Sequence, residues 1–107
     1  LAEAGRIEHL FVNLLLNGIQ AMRQGGTIKV LTRSSQDKIT IEVRDTGPGI
    51  PSEALETIFD PFVSTRHDGF GLGLYSCKSI VQEAQGHISV TSKVGSGTTF
   101  SVEFPRA

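Results

Sequence analysis

Apolar residues recur at helical spacing from about Glu3 to Arg23, where Ile7, Leu10, Phe11, Leu14, Leu15, Gly18 and Met22 predict one amphipathic helix. The run Gln24-Gly25-Gly26 supplies its stop. The period then changes to two. "TIKVLTR" (27–33) and "KITIEVRD" (38–45) alternate apolar and polar positions around the turn-like "SSQD", which predicts a hairpin. From 46 to 71 neither period holds, and Gly, Pro, Ser and Asp cluster around a single short helical stretch, "SEALETIF". Loops of this length are usually functional or mobile. A second long helix is predicted from about Leu72 to Ala84, ended by Gly86, and "HISVTS" and "TTFSVEFP" flank "KVGSG" as a closing hairpin. There are no internal repeats, low-complexity tracts or interdomain linkers.

Composition narrows the function classes. A chain of 107 residues is one domain, and such a domain buries roughly two-thirds of the surface its unfolded form exposes. A net charge of −1 provides no basic field for nucleic acid. No apolar run approaches the roughly 20 residues needed to cross a bilayer, and no signal or lipidation motif is present. The single Cys77 excludes an internal disulfide. His9, His67, His87 and Cys77 lack the spacing of a zinc finger or zinc protease.

Three stretches carry candidate chemistry. In the first helix Arg6, His9, Asn13, Asn17, Gln20 and Gln24 form one polar stripe, with Asn13 and Asn17 stacked at i, i+4. Asn costs roughly 0.6 kcal/mol relative to Ala in a helix interior. The stripe reads either as the solvent face of the helix or as a set of neutral oxygen ligands suited to Mg²⁺ already held by phosphates. The second stretch, "RDTGPGI" (44–50), is either an ordinary turn or a place where Asp45 meets a flat ligand approaching the glycine backbone. An unpaired carboxylate at the end of an apolar strand is expensive, and a purine amino group would satisfy it. The third, "GFGLGL" (69–74), exposes backbone N–H groups at a helix start and suits phosphates. It is neither the dinucleotide fingerprint nor a Walker loop, because Leu74 stands where the first needs Gly and no Gly-Lys-Ser/Thr follows.

In this order, with "IFDPF" between the second and third, the three stretches resemble the ATP-binding catalytic domain of bacterial sensor histidine kinases, in the GHKL superfamily with gyrase and MutL. "NLLLN" resembles the N box, "DTGPG" the G1 box, "IFDPF" the F box and "GFGLGL" the G2 box, and "GSGTTFSVEFP" the closing strand, so that nearly all of Ile7 to Pro105 is covered. The implied fold is α+β, a two-layer α/β sandwich of the Bergerat type, with three helices on one face of a mixed, mostly antiparallel sheet.

The resemblance also implies site roles. Asn17 would ligate Mg²⁺, Asn13 would lie beside the triphosphate, and both would serve catalysis; Asp45 would accept the adenine amino group, with Gly49 under the ring and Thr98 holding a water near Asp45. Further nucleotide contacts would come from Gly47, Ile50, Phe62, Arg66, Gly69, Gly71, Leu72, Gly73 and Leu74. The segment from Val63 to Gly71 would be a short ATP lid in which Arg66 is the one cation able to reach the phosphates. Gln20 and Phe70 stand where relatives usually carry Lys and Thr, and Asn13 replaces the glutamate base of gyrase-type relatives, which argues against efficient hydrolysis.

The implied function is transfer of the γ-phosphoryl group of Mg-ATP to a histidine on a separate dimerisation domain, with a response regulator downstream. None of the three histidines has phosphoacceptor context, and the strand that usually precedes the N box is absent, so the chain is expected to be a monomeric piece of a longer cytoplasmic or membrane-anchored kinase. The alternatives are a protein-serine kinase of the anti-sigma type and a regulatory ATP-binding module without transfer activity.

Overall fold

The computed structural model describes residues 4–60 and 73–105. The elements are α1 (Ala4–Ala21), β1 (Ile28–Ser34), β2 (Lys38–Asp45), α2 (Ser52–Leu55), α3 (Gly73–Glu83), β3 (His87–Lys93) and β4 (Gly97–Pro105). Both expected hairpins form, with β1 paired to β2 and β3 to β4. The first is closed by Ser35, whose N–H donates to the Lys38 carbonyl at 2.9 Å while its hydroxyl oxygen accepts the Lys38 N–H at 3.2 Å.

The sheet order is β1-β2-β4-β3. The expectation of a mixed sheet is corrected here: among the described residues every strand pair is antiparallel. The reason is topological. β2 and β3 run in the same direction and would form a parallel pair across the helical crossover, but β4 folds back between them and pairs with both.

Alternation then sorts the side chains onto two faces. One face takes Val43, Phe100 and Val102, all buried, and meets Leu10 and Leu14 of α1, Ile58, and Cys77, Ile80 and Val81 of α3. The opposite face carries Lys29, Arg33, Glu42, Arg44 and Lys93, with Glu42 paired to both Arg44 (2.7 Å) and Arg33 (3.8 Å). These are exposed cations on one carboxylate, and such pairs add little stability. All three helices contact the sheet, and α1 packs along α3.

Local endings depart from expectation in instructive ways. The stretch "SEALETIF" is helical only over Ser52–Leu55, and beyond it Ile58 turns into the core while Phe59 meets Phe100 edge-on, with ring centroids 6.2 Å apart. At the end of α3 the left-handed residue is Gln85 (φ 63°), not Gly86. Gly86 has another duty: its N–H donates to the Val81 carbonyl at 2.9 Å, and a Cβ there would collide with the Glu103 carbonyl of β4.

Phe100 is 1% exposed at the centre of this core, so Phe100→Ala is expected to cost about 3–5 kcal/mol. Val94→Ala, at a position 65% exposed, should stay within about 0.5 kcal/mol of the parent. Urea denaturation midpoints measure both.

Candidate functional site

A single transverse row of the sheet builds the site. Ile28 pairs with Asp45, Asp45 with Thr98 and Thr98 with Ser92, all on the helix-covered face. α1 crosses the end of this row at Gly18, where a Cβ would lie 3.2 Å from Ile28 Cδ1 and 3.5 Å from Asp45 Oδ2. In the sequence Gly18 is simply one more position of the apolar stripe. Its packing shows that it lets the helix backbone approach a strand-end carboxylate.

Asp45 is half-buried. Its carboxylate is not unpaired, as the sequence alone suggests: Oδ1 accepts the Gly47 N–H at 2.9 Å, the side chain holding its own turn as Asp commonly does. The following loop is pinned to the β3–β4 turn. Gly95 N–H donates to the Pro48 carbonyl at 2.7 Å, and Ile50 N–H donates to Ser92 Oγ at 2.7 Å. Gly49 (φ 83°) lies so close to β3 that a Cβ would run into the Lys93 carbonyl, and Gly97 (φ 103°) stands in the same relation to the Asp45 carbonyl.

These contacts frame a cavity of about 610 Å³ lined by Asn17, Gln20, Met22, Asp45, Gly47, Gly49, Ile50 and Thr98, among others. The volume suits a small-molecule ligand. Six residues expected from the sequence thus converge: Asn17, Asp45, Gly47, Gly49, Ile50 and Thr98.

Asn13 is placed differently. It lies one turn before Asn17, outside the cavity lining, with its amide nitrogen 3.0 Å from His9 Nε2. The same amide hydrogen-bonds to the Cys77 thiol, which burial pushes up to about 12 and the Asn13 bond draws back down. That thiol stays protonated and donates to the Leu10 carbonyl. Leu74 packs against the core and does not line the cavity, and Gly73 opens α3. Phe62, Arg66, Gly69, Gly71, Leu72 and the rest of the expected lid, His67 and Phe70 included, lie outside the described residues.

The polar stripe of α1 is divided: Arg6, His9, Gln20 and Gln24 are exposed, and only its two asparagines are not. Asn13 and Asn17 are half-buried, whereas Val12, Leu16 and Ile19 are 45–56% exposed. Sequence reasoning missed Ser92 and the close approach at Gly18. The only hint of Ser92 was its place two residues before the glycine turn.

Comparison with known proteins decides the family. Residues 2–107 match the family described as histidine kinase-, DNA gyrase B- and HSP90-like ATPase. The chain belongs to this family. Membership implies that the ligand of the domain is ATP. Among curated proteins it is 42% identical over 103 residues to the C4-dicarboxylate transport sensor protein DctS of Rhodobacter capsulatus (92% of this chain, 16% of that protein). It is 37% identical over 103 residues to sporulation kinase C of Bacillus subtilis (96% and 24%). The chain therefore spans about a quarter or less of these relatives. Among solved structures, the catalytic domain of histidine kinase ThkA in a nucleotide-free form superposes with a TM-score of 0.86 at 35% identity, covering 97% of this chain and 68% of that one. Full-length ShkA in complex with AMPPNP gives 0.84 at 29% identity (96% and 22%). The α+β architecture is that of histidine kinase catalytic domains.

The glycine contacts give a graded expectation. Gly95→Ala, with φ 87° but open space around it, should cost only the left-handed strain of about 1–2 kcal/mol. Gly49→Ala adds a backbone collision to the same strain and should cost clearly more. Thermal unfolding of the two variants side by side measures the difference.

Proposed function

We propose that this domain binds Mg-ATP in the Asp45 cavity and donates the γ-phosphoryl group to a histidine on a separate dimerisation and phosphoacceptor domain, in two-component signalling. The observation that carries the reading is the meeting of Asp45 and Thr98, on paired strands, with Asn17 of α1 around one cavity. The kinase names of the relatives support it, as does the AMPPNP complex of ShkA.

The donor set fits the ligand. Asp45 offers acceptors to an adenine amino group, and Gly47 and Gly49 line the same cavity. Among the described residues no group of three or more His, Cys, Asp or Glu could hold a metal ion. A cation would instead rest on the phosphate oxygens, on water and on a neutral oxygen such as that of Asn17. When bound, Mg²⁺ neutralises charge on the phosphates.

The chain's own residues orient the nucleotide and do not activate water. Asn13 and Asn17 are amides and cannot accept a proton as a carboxylate base does. Such a site keeps the phosphoryl group for a protein acceptor. An acceptor supplied by another domain is supported by the settings of the two described histidines, His9 engaged with Asn13 on α1 and His87 opening a strand.

Outcomes are expected for base selectivity, metal dependence and transfer. Asp45→Ala should weaken ATP binding by about 1.5–3 kcal/mol, and GTP should bind the parent far more weakly than ATP, because guanine places an acceptor where adenine has its amino group. Isothermal titration showing equal ATP and GTP affinity would reject the adenine assignment. Asn17→Ala should weaken ATP binding with Mg²⁺ present and matter much less in EDTA. In the same preparations, labelled ATP should leave the isolated chain unlabelled and label a parent helical hairpin supplied in trans, with an acid-labile, base-stable phosphate. An acid-stable phosphoserine would point to the serine-kinase reading, and ATP binding without any transfer to a regulatory module.

A further inference from the structure

Ser92, half-buried at the β3 end of the site row, makes three hydrogen bonds through one hydroxyl. Its Oγ lies 2.7 Å from the Ile50 N–H, 2.9 Å from the Gly97 carbonyl oxygen and 2.8 Å from Thr98 Oγ1. A serine hydroxyl has one proton and two lone pairs. The Ile50 N–H can only donate, so it takes one lone pair. The Gly97 carbonyl can only accept, so it takes the single proton. The remaining lone pair faces Thr98, and Thr98 must be the donor in that contact.

We propose that Ser92 is a positioning residue for base recognition: by taking the proton of Thr98 it fixes the Thr98 oxygen as a pure acceptor, and so makes the site select a 6-amino over a 6-oxo purine. Thr98 is 7% exposed and lines the cavity, so the group its oxygen meets there is the ligand or a water confined with it. Beside it across the β2–β4 pair stands Asp45, whose carboxylate also offers acceptors, one of them engaged by the Gly47 N–H. Two acceptor-only groups on directly opposite residues are close enough to act on one ligand group or one water. A water between them must donate both protons, one to each, and turn its lone pairs toward the ligand. Whether contact is direct or through that water, the ligand edge meets lone pairs. An amino group satisfies them, and a carbonyl oxygen opposes them.

Removing the Ser92 hydroxyl releases the Thr98 proton, which can then rotate into the site and accommodate a 6-oxo group. This inference rests on the nucleotide reading above, and the test separates the two. The affinities of the chain for ATP and for ITP, which carries an oxygen at position 6, are measured by isothermal titration on four variants. The parent should prefer ATP. Ser92→Ala should lower the ATP-to-ITP affinity ratio by about tenfold, the worth of one hydrogen bond of ordinary strength. Ser92→Thr, which keeps the hydroxyl, should restore the ratio.

A merely structural serine, needed only to hold Ile50 and Gly97, would weaken ATP and ITP alike and leave the ratio unchanged, which overturns the proposal. Thr98→Val and Thr98→Ser carry the test if Ser92→Ala does not fold. The first should lower the ratio and the second keep it, and an unchanged ratio in Thr98→Val overturns the proposal as well. Failure of the parent chain to bind either nucleotide would instead reject the ATP site itself, and this inference with it.

Discussion

The antiparallel pairing of β2 with β4 is the constraint on which the rest of the molecule depends. It runs from Lys38 opposite Pro105 to Asp45 opposite Thr98, so the same ladder that buries Val43, Phe100 and Val102 also sets the last residue of one strand beside the second residue of another. A slip of one residue would turn Phe100 to solvent and Asp45 away from Thr98 together. Core and site therefore share one register, and the hydrophobic cost of a slip protects the polar pair.

Close backbone approach finishes what the register begins. Gly18 brings α1 onto Asp45, Gly97 brings β4 under the Asp45 carbonyl, and Gly49 lays the loop after β2 against Lys93. Each absent side chain removes a few ångströms between elements that come from distant parts of the sequence. The result is a rigid frame in which the polar groups are held by main-chain bonds to Gly47, Ile50 and Gly97.

α1 does not sort its residues as a simple amphipathic helix does. Leu10 and Leu14 enter the core, while Asn13 and Asn17 are also turned inward and Val12, Leu16 and Ile19 remain on the surface. Ordinary amphipathicity would reverse the last two groups. The half-buried asparagines cost helix propensity, and they serve different neighbours: the Asn13 amide meets His9 and the Cys77 thiol, while Asn17 lines the Asp45 cavity.

Much of this was legible in the sequence because it is written in local periods. The two hairpins and the two long helices follow from spacing, whereas the gathering of Asn17, Asp45, Gly47, Gly49, Ile50 and Thr98 is what the resemblance to the kinase family implied. What the sequence could not contain is which residues become neighbours across the fold. The insertion of β4 between β2 and β3, which makes the sheet antiparallel among the described residues, is a choice among pairings that local patterns leave open. Gln85 takes the left-handed position while the adjacent Gly86 is reserved for contact with Glu103, a division of labour set by β4. Asp45 gains its Gly47 partner from the turn it makes, and Ser92 joins the row only because three groups, one from the loop after β2 and two from β4, converge on one hydroxyl. The sequence determined the elements and the chemistry each could carry; hydrogen-bond direction and close approach, being relations between residues far apart in the chain, were decided by the tertiary structure.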